Sequence, residues 1–289
     1  MFATPVFSTA EITAFVGAFI WPFTRISAMM LVAPIFSAKS IPVKSRVAMA
    51  IAITLVITPV LPPLPLVDFL SAQAVLILIH QVIIGAIMGF ALQLAFNIFV
   101  MSGHILAMQA GLGFSMMNSP QDGVQVTVVG QLYLMLATLL YLALDGHLIL
   151  IREVLNSFYL LPIGAGGIST TGYWLLVNWG SHMFLSAVMI VLPAITALLM
   201  VNVSFGVMSK ASPQLNPFSV GFLITIILAF AIIYVTLPTL VPHFERIMTE
   251  VFQLIQDILQ LSVSSASLRD ALSDVFTLNF MSIATRGTF

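Results

Sequence analysis

Long apolar runs separated by short polar connectors fill this chain from residue 12 to residue 240. The first, residues 12–36, is punctuated by Trp21, Pro22 and Arg25 and closed by Pro34. The connector SAKSIPVKSR follows with Lys39, Lys44 and Arg46, the densest positive cluster in the chain, which the positive-inside rule assigns to the cytoplasm. Residues 47–61 make a run short for a span, and the LPPLPL that ends it cannot continue a helix and reads as an extended link. Asp68 then opens a stretch without a charge from Phe69 to Gln121. Its helical part, residues 70–108, would reach about 60 Å at roughly 1.5 Å per residue, against a bilayer core of about 30 Å. Such a helix must bend, tilt, or leave the lipid inside a larger assembly. Further runs cover residues 124–144, 173–207 with Pro193 as a kink, and 218–240. Six runs predict six spans, with both termini outside and Lys210 inside.

The sharpest interruption is QAGLGFSMMNSPQDG, residues 109–123. Glycine opens positive φ and proline removes a backbone donor, so no continuous helix is expected there. Irregular backbone at membrane depth survives only where protein buries it or where it lines a watery cavity. The stretch therefore reads either as a plain Gly/Pro turn or as a plug or constriction. Beyond Phe244, in ERIMTEVFQLIQDILQL, the residues Ile247, Val251, Leu254, Ile255, Ile258 and Leu259 oppose Glu250, Gln253, Gln256 and Asp257. This predicts an amphipathic helix for an interface or a partner groove. From Ser262 apolar density falls, and a mobile linker with a short helix is expected.

Composition agrees with the pattern. Of 289 residues 60% are apolar and only 7% charged, which predicts an all-α polytopic integral membrane protein of about six to seven long, kinked helices. The N-terminus lacks a basic region and a cleavage site, so the first run is read as retained. A net charge of -1 offers no surface for nucleic acid, and with no cysteine there are no disulfides, thiolate chemistry or Cys-held metal.

Chemistry-bearing motifs are sparse. HExxH, GxSxG and P-loop patterns are absent, and Met116 stands where a third glycine would complete the GxG of Gly111 and Gly113. The five histidines show no metal-ligand spacing with carboxylates, so no metal and no cofactor are expected. Asp145 and His147, with Arg152 nearby, form either a helix-end turn or an acid/base set for a polytopic enzyme. The centres of the apolar runs hold no Asp or Glu, which counts against a proton-coupled solute transporter.

Polar residues inside the runs define candidate contacts. Arg25 reads as a snorkelling side chain, a partner for a helix end, or a contact across a subunit boundary. Gly85 and Gly89 form a GxxxG that lets another helix approach closely. Gln93, Asn97 and His104 share one helical face, which should point at protein or water.

The ordered segments FTRISAMMLVAPIFSAKSIPVKSRVAMAIAIT, HQVIIGAIMGFALQLAF, QAGLGFSMMNSP, LDGHLILI, LPIG and MSKASPQLNPFSVGFLIT resemble the FliR family of flagellar type III export-gate proteins, with SctT as the injectisome counterpart. The resemblance spans residues 10–260; the tail after Ser262 and the GAGGISTTG loop depart from it. It implies a secretion conduit, not an enzyme, in the bacterial inner membrane at the flagellar basal body. Its implied partners are FliP-like and FliQ-like subunits in one gate, FlhB and FlhA, and unfolded secreted proteins as cargo; an injectisome gate subunit is the alternative.

The resemblance also implies a FliP-like part over residues 1–206, a FliQ-like hairpin with its amphipathic helix over 207–262, and a tail of unassigned role over 263–289. The family's plug loop falls on residues 109–123. Met108, Gln109, Phe114, Met116, Met117 and Pro120 would seal it, and Gly111, Gly113 and Gly123 would act as hinges. Arg25, Gly85, Gly89, Gln93, Asn97, His104, Pro213, Gln214, Asn216 and Gly221 are the expected packing and assembly positions.

Overall fold

A stretch without charge or proline, opened by the Ser71 hydroxyl accepting from Ala74 N at 3.2 Å, forms a single helix, α3 (Ala72–Gln109, 38 residues). Its apolar residues surround the axis, and half of its residues are buried, a larger share than in the other three candidate membrane spans. The computed structural model describes residues 9–38, 41–62, 67, 71–113, 116–118, 125–164, 166–211 and 217–286.

Seven further helices are described, α1 (Thr9–Val32), α2 (Val43–Ile57), α4 (Val128–Ala143), α5 (Gly146–Leu160), α6 (Thr170–Ala211), α7 (Pro217–Thr236) and α8 (Leu240–Arg286), of which α1, α4, α6 and α8 pack on α3. Among the described residues the remaining regular structure is one antiparallel ribbon, β1 (Met116–Asn118) with β2 (Gln125–Thr127), and two short 3-10 turns. The protein is thus an all-α membrane protein.

Contacts fix the helix directions. Gly85 lies against Arg25 and Ala28, and Gly89 against Val32 and Ala33, so α1 runs parallel to α3. Gly130 meets Gly103 and Tyr141 meets Phe96, so α4 runs back down α3. The Ser102 hydroxyl donates to Ala187 O at 3.0 Å and His80 packs on Gly167, so α6 climbs parallel to α3. Asn202 with Thr225, His182 with Glu250, and Ser169 with Ser262 then set α7 and α8 antiparallel to α6 along its length. The expected division between residues 206 and 207 falls inside α6, which is helical to Ala211.

The predicted six spans become four helices long and apolar enough to cross a membrane, or five with the bent pair α4–α5, among the described residues. The remaining run is α1, a helix of 24 residues whose stretch Gly17–Val32 is apolar. The overlong third run is one continuous helix of about 57 Å, and α6 and α8 are longer, about 63 and 70 Å. A bilayer core of about 30 Å covers roughly half of each.

Two expectations about α8 change. Ile247, Val251, Leu254, Ile255, Ile258 and Leu259 are all buried within this chain, so the apolar face is occupied here and not left for a partner. The expected linker after Ser262 is instead a continuation of the helix. Serine has middling helix propensity, and a helix already nucleated by a packed segment propagates through it.

Between α4 and α5 the axis turns by 68°. Asp145 makes the turn at φ 54, a left-handed conformation costing roughly 1 kcal/mol that Asp tolerates better than most residues. At the α1–α2 connector, Arg46 of the positive cluster donates Nη2 to Ala38 O at 2.7 Å and to Ile41 O at 3.0 Å, which closes that turn.

Candidate functional site

Helix α3 ends where the glycines begin. Leu112 N donates to Ala107 O at 2.9 Å and Gly111 N to Met108 O at 3.2 Å, with Gly111 left-handed at φ 75. This is a Schellman cap, and it turns the chain sharply off the axis. The Met108 sulfur lies where a Cβ on Gly113 would stand, 2.5 Å from it, and Met108 is otherwise exposed. Replacing Gly111 with Ala is expected to cost about 1 kcal/mol through the positive φ, read as a lower unfolding midpoint in detergent at unchanged helix content.

Past the cap the chain forms the ribbon, with Met116 opposite Thr127, Met117 opposite Val126 and Asn118 opposite Gln125. Thr127 also caps α4, its hydroxyl accepting from Gly130 N at 3.1 Å. Of the expected plug residues, Met108, Gln109, Gly111 and Gly113 are described fully, while Met116 and Met117 are described in their backbone only. Phe114, Pro120 and Gly123 lie outside the described residues.

The base of the ribbon is held by a close seam. A Cβ on Gly103 would stand 2.6 Å from Gly130 Cα and 2.8 Å from Gly130 N, so α3 and α4 touch backbone to backbone. The sequence reading missed this contact, because two lone glycines 27 residues apart carry no pairing signal. At the adjacent residue, the Ser102 hydroxyl donates to Ile98 O at 2.7 Å and Ala187 O at 3.0 Å, tying α6 to the same level.

Further along α3, Gly85 and Gly89 receive α1. A Cβ on Gly85 would collide with Arg25 O and stand 3.0 Å from Met29 N; one on Gly89 would stand 2.7 Å from Met29 O and 2.9 Å from Ala33 N. The GxxxG is therefore an intramolecular seam.

That seam carries Arg25, which is fully buried. Its Nε donates to Gln81 Oε1 at 2.7 Å, Nη1 to Ser157 O at 2.8 Å and Ser157 Oγ at 3.0 Å, and Nη2 to Leu161 O at 2.9 Å. The guanidinium also stands 4.2 Å from the centre of the Phe158 ring. Arg25 does not snorkel: the hydrogen bonds it makes here lie within the chain, and it meets the carbonyl end of α5, where the helix dipole is negative. Nothing in the sequence marked Gln81, Ser157 or Leu161 as its acceptors.

The other expected positions scatter. Asn97 is exposed and Gln93 and His104 are half-buried, on a side of α3 that this chain leaves open. Pro213, Gln214 and Asn216 lie outside the described residues, and Gly221 lies within the backbone of α7. Asp145 and Arg152 are exposed, with Asp145 in the turn, and do not form a convergent set with half-buried His147. Among the described residues no three of His, Asp and Glu gather as a metal site. A second polar tie went unread: Gln256 Nε2 donates to buried Glu153 Oε1 at 3.1 Å, joining α8 to α5.

Known sequences bear on this arrangement. The signature of the family described as bacterial export proteins, family 1, matches residues 16–251. The chain is similar to the flagellar biosynthetic protein FliR of Pectobacterium carotovorum subsp. carotovorum, 37% identical over 89% of this chain and 99% of that protein. It is also similar to the FliR proteins of Escherichia coli strain K12, 33% identical over 85% and 94%, and of the Buchnera aphidicola of Acyrthosiphon pisum, 30% identical over 84% and 94%.

Proposed function

The chain belongs to the bacterial export proteins, family 1, and from that membership we propose that it is a core subunit of a flagellar protein-export gate whose 109–123 segment closes the conduit at rest. The observation that carries the proposal is the non-helical ribbon, set by a Schellman cap at the head of the longest uncharged helix and held there by the Gly103–Gly130 seam. A short ribbon leaves backbone groups that lipid cannot satisfy, so it belongs in protein or in a watery passage. Deformable methionines at its base and in its first strand suit a seal around an extended chain of changing side-chain size.

The partners would be FliP-like and FliQ-like subunits, with FlhB and FlhA at the cytoplasmic mouth, in the inner membrane of the basal body. The open polar stripe of Gln93, Asn97 and His104 would face such a neighbour, and the apolar exteriors of α2, α6 and α7 would face others or lipid. Residues 1–206 would act as the FliP-like part and 207–262 as the FliQ-like hairpin. Transport would need no catalysis by this chain.

Deleting residues 117–126 tests the closure. It joins Met116 to Thr127, cross-strand partners roughly 5 Å apart, and leaves both the Gly111 cap and the Thr127 cap intact. In the assembled complex reconstituted in planar bilayers, the deletion should raise resting ion conductance by an order of magnitude or more. Unchanged conductance in a complex of normal composition would remove the plug assignment.

A further inference from the structure

The seams α1–α3 and α3–α4 are closed by glycines with backbone on backbone, but α5 is attached differently. Its apolar side chains Leu150, Val154 and Phe158 are buried, and polar ties hold it to three separate elements. Arg25 of α1 grips Ser157 and Leu161, Gln256 of α8 grips Glu153, and Tyr159 donates its hydroxyl to Val60 O at the end of the 3-10 turn after α2.

Both ends of α5 are built to turn. On one side stands the 68° break with left-handed Asp145. On the other, the loop to α6 carries Gly164 and Gly166, around which a Cβ would meet nothing within 4 Å. The network is also incompletely used: Glu153 Oε2 and Gln81 Nε2 are buried with no hydrogen-bond partner among the described residues. A polar network left partly unsatisfied in a low-dielectric interior is one that a rearrangement can improve.

We propose that α5 is a hinged strap, latched by Arg25, Gln256 and Tyr159, that swings away from α1 and α8 about Asp145 at one end and Gly164 and Gly166 at the other while the glycine seams stay shut. The inference rests on contacts within one chain and is independent of whether the ribbon closes a conduit.

The absence of native cysteine makes the test clean. Val154→Cys, 1% exposed, reports on strap opening, and Ala187→Cys, 0% exposed in the α3–α6 contact, reports on the body. Labelling with N-ethylmaleimide is followed in native membranes. Arg25→Gln should speed labelling of Val154→Cys by about tenfold or more and change Ala187→Cys by less than about twofold, the pattern of local as opposed to global opening. Tyr159→Phe, at an exposed residue, should speed the strap reporter by about threefold. Equal acceleration at both reporters would overturn the strap in favour of general loosening, and no acceleration at Val154→Cys in either variant would overturn it outright. Where Arg25→Gln does not accumulate, the Tyr159→Phe pair of measurements decides.

Discussion

Gly85→Val is expected to collapse the yield of folded, monodisperse protein after detergent extraction, and to lower the unfolding midpoint of whatever survives. A Cβ at this position falls on Arg25 O, and Ala28 Cβ and Met29 N stand 3.0 Å away. Two of these three obstacles are backbone and cannot rotate aside. Helix α1 must then move off α3, which also opens the contact at Gly89, where Met29 O and Ala33 N stand 2.7 and 2.9 Å from a Cβ position. Overpacking alone costs about 1–3 kcal/mol. The shift also draws Arg25 from Gln81 and Ser157, which adds roughly 1–3 kcal/mol for charge-assisted bonds. A total of about 2–6 kcal/mol is a large part of the 5–15 kcal/mol by which a folded protein typically persists. Gly180→Val is the matched control: it sits in α6 with nothing within 4 Å of its Cβ position, so its effect should stay within about 0.5 kcal/mol. Equal behaviour of the two variants would mean that the α1–α3 seam is not as tight as its geometry indicates.

How far such contacts could be read in advance depended on whether the signal was local. The length of α3 was legible because neither a charge nor a proline interrupts it, and its end was legible because glycines and a proline cluster there. The buried face of α8 was equally legible from its 3.6-residue period. What the period could not say is which surface would cover that face, and the answer is this chain itself. The GxxxG marked a close approach without naming the helix that approaches, since α1 lies more than fifty residues upstream. Gly103 with Gly130 left no trace at all, because a single glycine is ambiguous until its neighbour is known. Proline was a poor guide to helix ends here: Pro22 and Pro193 lie inside α1 and α6. Neighbouring helices in an apolar body can offset the lost hydrogen bond.

Arg25→Met is expected to lower stability by about 3–5 kcal/mol, and the reason is what it leaves behind. A buried cation without a carboxylate within bonding distance looks costly, yet its charge is well met. Ser157 O and Leu161 O belong to the carbonyl end of α5, which carries roughly half a negative charge; Ser157 O also accepts from Leu161 N, and Leu161 O lies past the last helical turn. Gln81 Oε1 and the Phe158 ring complete the shell. Methionine fills similar volume but strands Gln81 Oε1 and Leu161 O in a dry interior. Lysine should recover less than half of the loss, since a single ammonium cannot present the planar fork that reaches α3 and α5 together. The decisive comparison is Gln81→Leu alone and combined with Arg25→Met. Because the two side chains bond directly, removing both relieves the stranded acceptor, and the double variant should be more stable than the sum of the singles predicts by at least about 1 kcal/mol. Additivity within about 0.5 kcal/mol in detergent unfolding would show that Arg25 acts by filling space and not by bonding α3 to the end of α5.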